Sequence, residues 1–317
     1  MNRLRALLQP PYRLRSVYER LLGTEVELQV VAASRRTAEA AEQAALEELE
    51  RLNGLLNRFD PQSEWRRLLA RPDEAQAVSA DLRAVLELAE HWQHATDGAF
   101  HPGADALGAV WSRAAGRGHL PDPAELAEVV IAIQGPLWTV HSDGRVTVHT
   151  LLPLGANALA KGYVVDQMAE RAFAQAEVQA VLVNAGGDLR TLGGRGLQVA
   201  VADPFTARDD ASPLTRVQVQ NAALATSGQA HRGWHVGQRW YSHLLDPRTG
   251  QPVMEVPGVT VVAPLAVTAD ALATALSVLN VAAGLALADR TPGAAALIVT
   301  EGGIQHTSRR WAALTSG

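Results

Sequence analysis

Eighteen consecutive residues without a formal charge, Ala271 to Ala288, constrain this chain more than any other stretch. Such a run has to leave water, either in a bilayer or in a protein interior, because its apolar surface is costly to expose. Its length falls inside the window of about 17 to 25 residues for a membrane-spanning helix. Its composition does not suit lipid. Alanine dominates, and Thr274, Ser277, Asn280 and Gly284 interrupt the larger apolar side chains, so insertion would be weakly favourable compared with a Leu, Ile and Phe span. The run reads as part of one long alanine-rich helix, Ala266 to Ala288, buried inside a soluble fold with no transmembrane segment.

A buried helix of that length needs a large partner surface. The chain has 317 residues, of which 47% are hydrophobic and 19% charged, enough for one or two domains that bury roughly 70 to 75% of the unfolded surface. Global disorder is excluded. No cysteine is present, which excludes a disulfide scaffold, thiolate metal ligation and thiol catalysis and leaves the redox compartment open. The 28 basic residues against 33 acidic ones give a net charge of -5. They form no long basic block, which argues against a nucleic-acid or acidic-membrane partner.

Periodicity sketches the rest. Glu25 to Val31 reads as a strand and Thr37 to Leu56 as an amphipathic helix carrying Ala41, Leu46, Leu49, Leu52 and Leu56. Phe59 to Glu64 is a turn leading to a short helix through Leu69, and Ser79 to Trp92 is a second strong helix. Thr96 to Gly118 reads as loop, short helix and loop, a candidate pocket wall. Val129 to Ile133, Trp138 to His141 and Arg145 to His149 read as a small meander. Helical spacing resumes over Gly162 to Ala174. Strands are expected over Ala180 to Asn184, Gly196 to Ala202, Val217 to Gln220, Trp240 to Leu244, Val259 to Ala263 and Ala294 to Thr300. The fold class is α+β, without repeats or a low-complexity linker.

Three segments carry candidate chemistry, each with a plainer alternative. Asp270 and Thr274 lie four residues apart on one helix, so both oxygens face the same side and can serve Mg²⁺; alternatively they cap and back-bond the helix. In Gly155 to Asp166 (GANALAKGYVVD), small residues admit a bulky ligand and Lys161 supplies a cation, although the GxxxxGK[ST] phosphate loop is missing. A tight turn with Lys161 and Asp166 solvated is the plain reading. Asn184 to Asp188 (NAGGD) either admits a flat ring or makes a turn. In Tyr241 to Gly250 (YSHLLDPRTG), His243 and Asp246 offer acid-base groups and Arg248 a neutralising charge. The alternative is a strand ending in an Asp-Pro turn. No GxSxG elbow supports a hydrolase triad.

Taken in order, these motifs resemble the FAD:protein FMN transferase family. The resemblance spans roughly Leu21 to Thr300 and rests on Leu22 to Thr24 (LGT), Ser63-Glu64, Thr96 to Phe100 (TDGAF), Ala158 to Asp166 (ALAKGYVVD) and Val183 to Asp188 (VNAGGD). Ala225 to Gly228 (ATSG), Tyr241 to Gly250 and Ala269 to Thr274 (ADALAT) complete it. It implies a single composite flavin-transferase domain, residues 21–317, with mixed and antiparallel sheets and flanking helices behind an N-terminal extension, residues 1–20. It further implies Mg²⁺-dependent transfer of FMN from FAD to a threonine of an acceptor protein, forming a phosphoester and releasing AMP. By the same resemblance the Ala158 carbonyl, Asp270 and Thr274 hold the metal. Leu22, Ala99, Phe100, His101, Lys161, Gly187 and His243 line the flavin nucleotide, and His243 and Asp246 are the acid-base candidates.

Two positions depart from the family pattern. His101 stands after Ala-Phe where an aspartate is common, and Gly155 stands where an Asp-Leu pair would supply a carboxylate. These departures keep two alternatives open: an FAD diphosphatase yielding FMN and AMP, and a noncatalytic flavin-binding protein. Homo-oligomerisation is also left open. Met1 to Tyr18 lacks the continuous apolar region of a secretory signal, and no lipidation cysteine is present. The expected location is cytoplasmic for this sequence, or periplasmic for a chain from which an export signal has been cut.

Overall fold

The computed structural model describes residues 10–206, 212–228 and 233–315. The chain opens with a hairpin, β1 (Tyr12–Leu21) and β2 (Thr24–Ala32), followed by α1 (Arg35–Leu56), α2 (Glu64–Leu69), β3 (Gln76–Ala77) and α3 (Ala80–Ala95). Two helices, α4 (Ala104–Arg117) and α5 (Pro123–Ile133), form a side lobe. Then come β4 (Trp138–Val140), β5 (Arg145–Val148) and α6 (Asn157–Phe173). The second half runs β6 (Val178–Ala185), β7 (Asp188–Gly193), β8 (Leu197–Val201), β9 (Thr215–Val219), β10 (Ala223–Gly228), β11 (Gly233–Val236), β12 (Arg239–Ser242) and β13 (Gly258–Ala263). It closes with α7 (Ala266–Val278), α8 (Val281–Arg290), β14 (Ala295–Val299), β15 (Gln305–Thr307) and α9 (Ala312–Thr315).

One eight-stranded sheet, in the order β1-β2-β6-β7-β10-β13-β14-β15, organises the molecule. All strand pairings among the described residues are antiparallel. In β2 the alternation is visible residue by residue: Val26, Leu28 and Val30 are fully buried while the residues between them are not. That face receives α1, α6 and α7. The opposite face, through Leu189, Leu224, Val262 and Leu297, packs on the β8–β9 hairpin and Trp311. Because both faces are covered, β13 and β14 are buried at every residue.

Alanine has a specific use in α7. Ten of its residues are buried, among them Ala266, Ala269, Ala271, Ala273 and Ala275, so this helix is enclosed on nearly all sides and small side chains let it sit close to its neighbours. Gly162 on α6 marks the tightest approach. A Cβ there would lie 2.5 Å from the Ala266 carbonyl oxygen and 2.8 Å from the Val267 Cα. Asp166, one turn further along α6, accepts from the Ala266 and Val267 backbone N–H groups at 2.8 and 2.9 Å. It caps α7, whose own N-cap Leu265 has no side chain able to do so. The solvated reading of Asp166 is therefore wrong; it is 3% exposed.

Several sequence expectations are corrected. The alanine-rich run is two helices, because Leu279 is extended and Asn280 starts a new helix by accepting from the Ala283 N–H at 2.9 Å. Val129 to Ile133 is not a strand but the end of α5, which begins with Asp122 as N-cap and Pro123 in its first turn. The helix inside Thr96 to Gly118 is α4, fourteen residues long. The strands β7, β10 and β11 were not anticipated. Tyr12–Leu21 forms the edge strand β1, paired to β2. Among the described residues no helix is long and apolar enough to cross a membrane.

Candidate active site

The motifs come from six distant segments, and a chain of contacts joins them. At one end lies the β1–β2 turn, where Leu22 adopts φ +52° and Gly23 φ +73°. Its neighbour Thr24 lies against Gly186, whose N–H donates to the Glu25 carbonyl at 3.1 Å. Gly186 and Gly187 form the β6–β7 turn with φ +58° and +98°, conformations that favour glycine. Gly187 is exposed and has no atom within 4 Å of where a Cβ would stand. Its N–H donates to Asn184 Oδ1 at 3.1 Å.

Immediately after that turn, Asp188 is carried inward as the first residue of β7. Its Oδ2 stands 2.8 Å from Lys161 Nζ. Asp188 also neighbours Asp270, so that the two carboxylates influence one another. Asp270 Oδ2 in turn accepts the Gly162 backbone N–H at 3.3 Å. Burial raises both acids above the usual carboxylate range. For Asp270 the neighbouring Asp188 adds to burial and Lys161 opposes it; for Asp188 Lys161 is the main opposing influence.

Thr274 is one turn beyond Asp270 on α7 and partly buried. Ala158 is in the first turn of α6 but has ψ +15°, outside helical values. The N–H that would close the regular helical ring on its carbonyl belongs to Gly162, and that N–H points at Asp270. The Ala158 carbonyl, the Asp270 carboxylate and the Thr274 hydroxyl are hard oxygen donors of the kind that suits Mg²⁺. Among the described residues no group of three or more His, Asp or Glu side chains forms a metal cluster. A cation here would rely on carbonyl and hydroxyl oxygens beside the carboxylate.

The other side of the site is the side lobe. Thr96 ends α3, and its hydroxyl accepts the Phe100 N–H at 2.9 Å, folding Asp97 and Gly98 into a left-handed turn. Ala99 and Phe100 are 2% exposed. His101 is turned into the corner between α3 and α4, where Nδ1 accepts from the Gly103 N–H at 3.0 Å and Nε2 lies 3.0 Å from the Gln93 amide. Burial pushes it down to about 4, so the ring is neutral at pH 7.

His243 and Asp246 lie on the loop after β12. This loop is anchored from below: Trp111 on α4 donates Nε1–H to the Gly250 carbonyl at 2.9 Å, and its ring packs on Trp234 and Tyr241. His243 is partly buried, between Ser242, whose Oγ accepts from the Leu244 N–H, and the Leu245–Pro252 bridge. Asp246 is occupied. Its oxygens accept from the Arg248 backbone N–H at 2.9 Å and from Arg248 Nε and Nη2 at 2.8 Å each. Arg248 also reaches the Thr96 to Phe100 segment, since its Cγ would be 3.7 Å from a Cβ on Gly98.

Sequence reasoning singled out most of this constellation but not Asp188, the carboxylate that ties Lys161 to Asp270. It sits directly after the Gly186-Gly187 pair, a position where a strand turns its first side chain inward, and only the tertiary fold shows what it meets. Ser63 and Glu64 are scaffold: Ser63 caps α2, and Glu64 accepts the Ser79 N–H at 2.7 Å where α3 begins.

Comparison with known proteins places the chain in a family. The family model described as the ApbE family matches residues 22–298. A protein of Treponema pallidum named FAD:protein FMN transferase is 31% identical over 244 residues, covering 70% of this chain and 66% of its own length. One of the same name from Haemophilus influenzae is 29% identical over 233 residues, covering 70% and 67%. The chain thus spans about two thirds of the length of these relatives. Among solved structures, the ApbE protein of Thermotoga maritima superposes with a TM-score of 0.82 at 27% identity, over 97% of this chain and 100% of that one. The flavinyl transferase ApbE of Pseudomonas stutzeri shares the fold at 24% identity, with a TM-score of 0.81 over 98% and 99% of the two chains.

Proposed function

The chain belongs to the ApbE family, and from that premise we propose that it transfers the FMN moiety of FAD to a threonine hydroxyl of a partner protein and releases AMP. The observation that carries the reading is the junction of α6, β7 and α7, where Asp270 meets Gly162, Asp188 and Lys161. Burial opposes the ionisation of this acidic pair, and a divalent cation would offset that by neutralising the carboxylate charge. The Ala158 carbonyl, Asp270 and Thr274 would hold Mg²⁺, which when bound neutralises the diphosphate and polarises the attacked phosphorus.

The remaining chemistry belongs to the chain. Leu22, partly exposed, would supply apolar surface for the isoalloxazine, the buried Ala99 and Phe100 would support that wall from within, and the open backbone at Gly187 lets the nucleotide come close. Lys161, fixed by Asp188, adds a positive charge at the edge of the site. The threonine oxygen attacks the phosphorus on the FMN side, the bond from that phosphorus to the AMP phosphate breaks, and AMP leaves. His243 takes the threonine proton. Asp246, the other acid-base candidate, has its carboxylate engaged by Arg248.

The test is incubation of the protein with FAD and Mg²⁺, with and without a threonine-containing acceptor domain, followed by chromatography. AMP release that requires acceptor supports transfer. Equal conversion of FAD to FMN and AMP without acceptor would make the protein a diphosphatase, and FAD retained intact in both samples would make it a flavin binder.

A further inference from the structure

Gly155 leaves a gap in the family pattern, and the fold fills it from elsewhere. The N–H of Gly155 donates to the Pro102 carbonyl at 2.9 Å, which brings the approach to α6 against the start of α4. Asp105, in the first turn of α4, then occupies the space a side chain at position 155 would need: a Cβ on Gly155 would lie 2.5 Å from the Asp105 Cγ. A carboxylate from residue 155 and the carboxylate of Asp105 cannot both be there. Arg58 holds the second in place. Its Nη1 pairs with Asp105 Oδ2, while Nη1 and Nε stand 2.8 and 2.9 Å from the Asn157 amide oxygen, so one guanidinium braces α4 against the first residue of α6.

We propose that Asp105 is a nucleotide-binding residue of this protein, delivering from α4 the acceptor that position 155 lacks. This rests on the transferase reading above. Asp105 Oδ1 takes no hydrogen bond from any described residue, and the side chain is 31% exposed. Gly155, against which it is packed, lies three residues before Ala158, whose carbonyl is assigned to the metal. A carboxylate repels phosphate and attracts neutral N–H and O–H donors. Asp105 therefore meets a hydroxyl or amino group of FAD, not its diphosphate.

The experiment compares FAD affinity, by calorimetry with Mg²⁺ present, for the unaltered protein, D105N, G155D and the exchange variant D105G/G155D. FMN and ADP are titrated alongside to place the contact on the flavin or the adenosine half. Thermal melting reports folding of each variant. D105N keeps the size of the side chain and should bind FAD about tenfold more weakly, the loss expected for one charge-assisted hydrogen bond. G155D should bind worse still through collision, and D105G/G155D should recover most of that loss. Unchanged affinity in D105N, or an exchange variant no better than G155D, would overturn the assignment and leave the transferase reading standing. An unaltered protein that does not bind FAD would overturn both.

Discussion

Gly162 donates its backbone N–H to Asp270 Oδ2 at 3.3 Å, across a helix crossing so tight that a Cβ on Gly162 would lie 2.5 Å from the Ala266 carbonyl oxygen. The relationship joins packing to chemistry: the closeness that lets α6 orient the carboxylate is possible only because residue 162 has no side chain. The atoms it would strike are backbone and cannot rotate away.

Gly162→Ala should therefore act on both properties at once. Overpacking between α6 and α7 is expected to cost about 1 to 3 kcal/mol, and the displaced Asp270 should bind Mg²⁺ more weakly. Urea unfolding and a metal titration of the same preparation test this; lost stability with an unchanged titration would separate the crossing from the site.

Asp270→Asn preserves size while removing the charge from the buried acidic pair. Stability should hold or rise, because the raised acid is costly to keep ionised. Mg²⁺-dependent turnover should fall by more than about a hundredfold. A variant that titrates metal and turns over normally would remove Asp270 from the ligand set.

Asp188→Asn tests the residue that sequence reasoning passed over. It frees Lys161 from its 2.8 Å ion pair and takes the neighbouring charge from Asp270. Metal affinity should drop about 10- to 100-fold, as when the outer support of a ligand is removed, with the secondary structure retained by circular dichroism. An unchanged metal titration would make Asp188 a packing residue.

The pH dependence of stability has a readable sign at His101. Its folded value is lowered from 6.5 to about 4 by burial, so the unfolded chain binds more protons between those values. Stability from this group is complete above pH 6.5 and is lost as pH falls toward 4, by on the order of 3 kcal/mol. Asp166, raised to about 6 by burial, tilts stability the other way. The difference between the unaltered protein and His101→Gln isolates the histidine: it should grow in the variant's favour as pH drops from 6.5 to 4, and a difference independent of pH would contradict the burial argument.

What the sequence made legible follows from range. β2, α1 and α3 write their packing locally, in alternation or 3.6-residue spacing around Val26 to Val30 and Leu82 to Ala89. The ordered motifs likewise point to one site. Features decided by distant partners were not legible. Asp166 looks like a surface acid until α7 is laid against it, and Asp105 lies in no motif until Gly155 is folded onto it. The break at Asn280 was written in the chain as a capping residue, but an uncharged asparagine inside an alanine-rich run is easily read as continuing the helix.

The central claim is covalent transfer, and intact-mass spectrometry of a threonine-containing acceptor, with AMP quantified in the same reaction, tests it most directly. The account predicts one FMN added per acceptor, one AMP released per adduct, both dependent on Mg²⁺ and lost when the acceptor threonine is replaced by alanine. AMP formed with no mass added to the acceptor, or FAD left intact beside an unmodified acceptor, would contradict it.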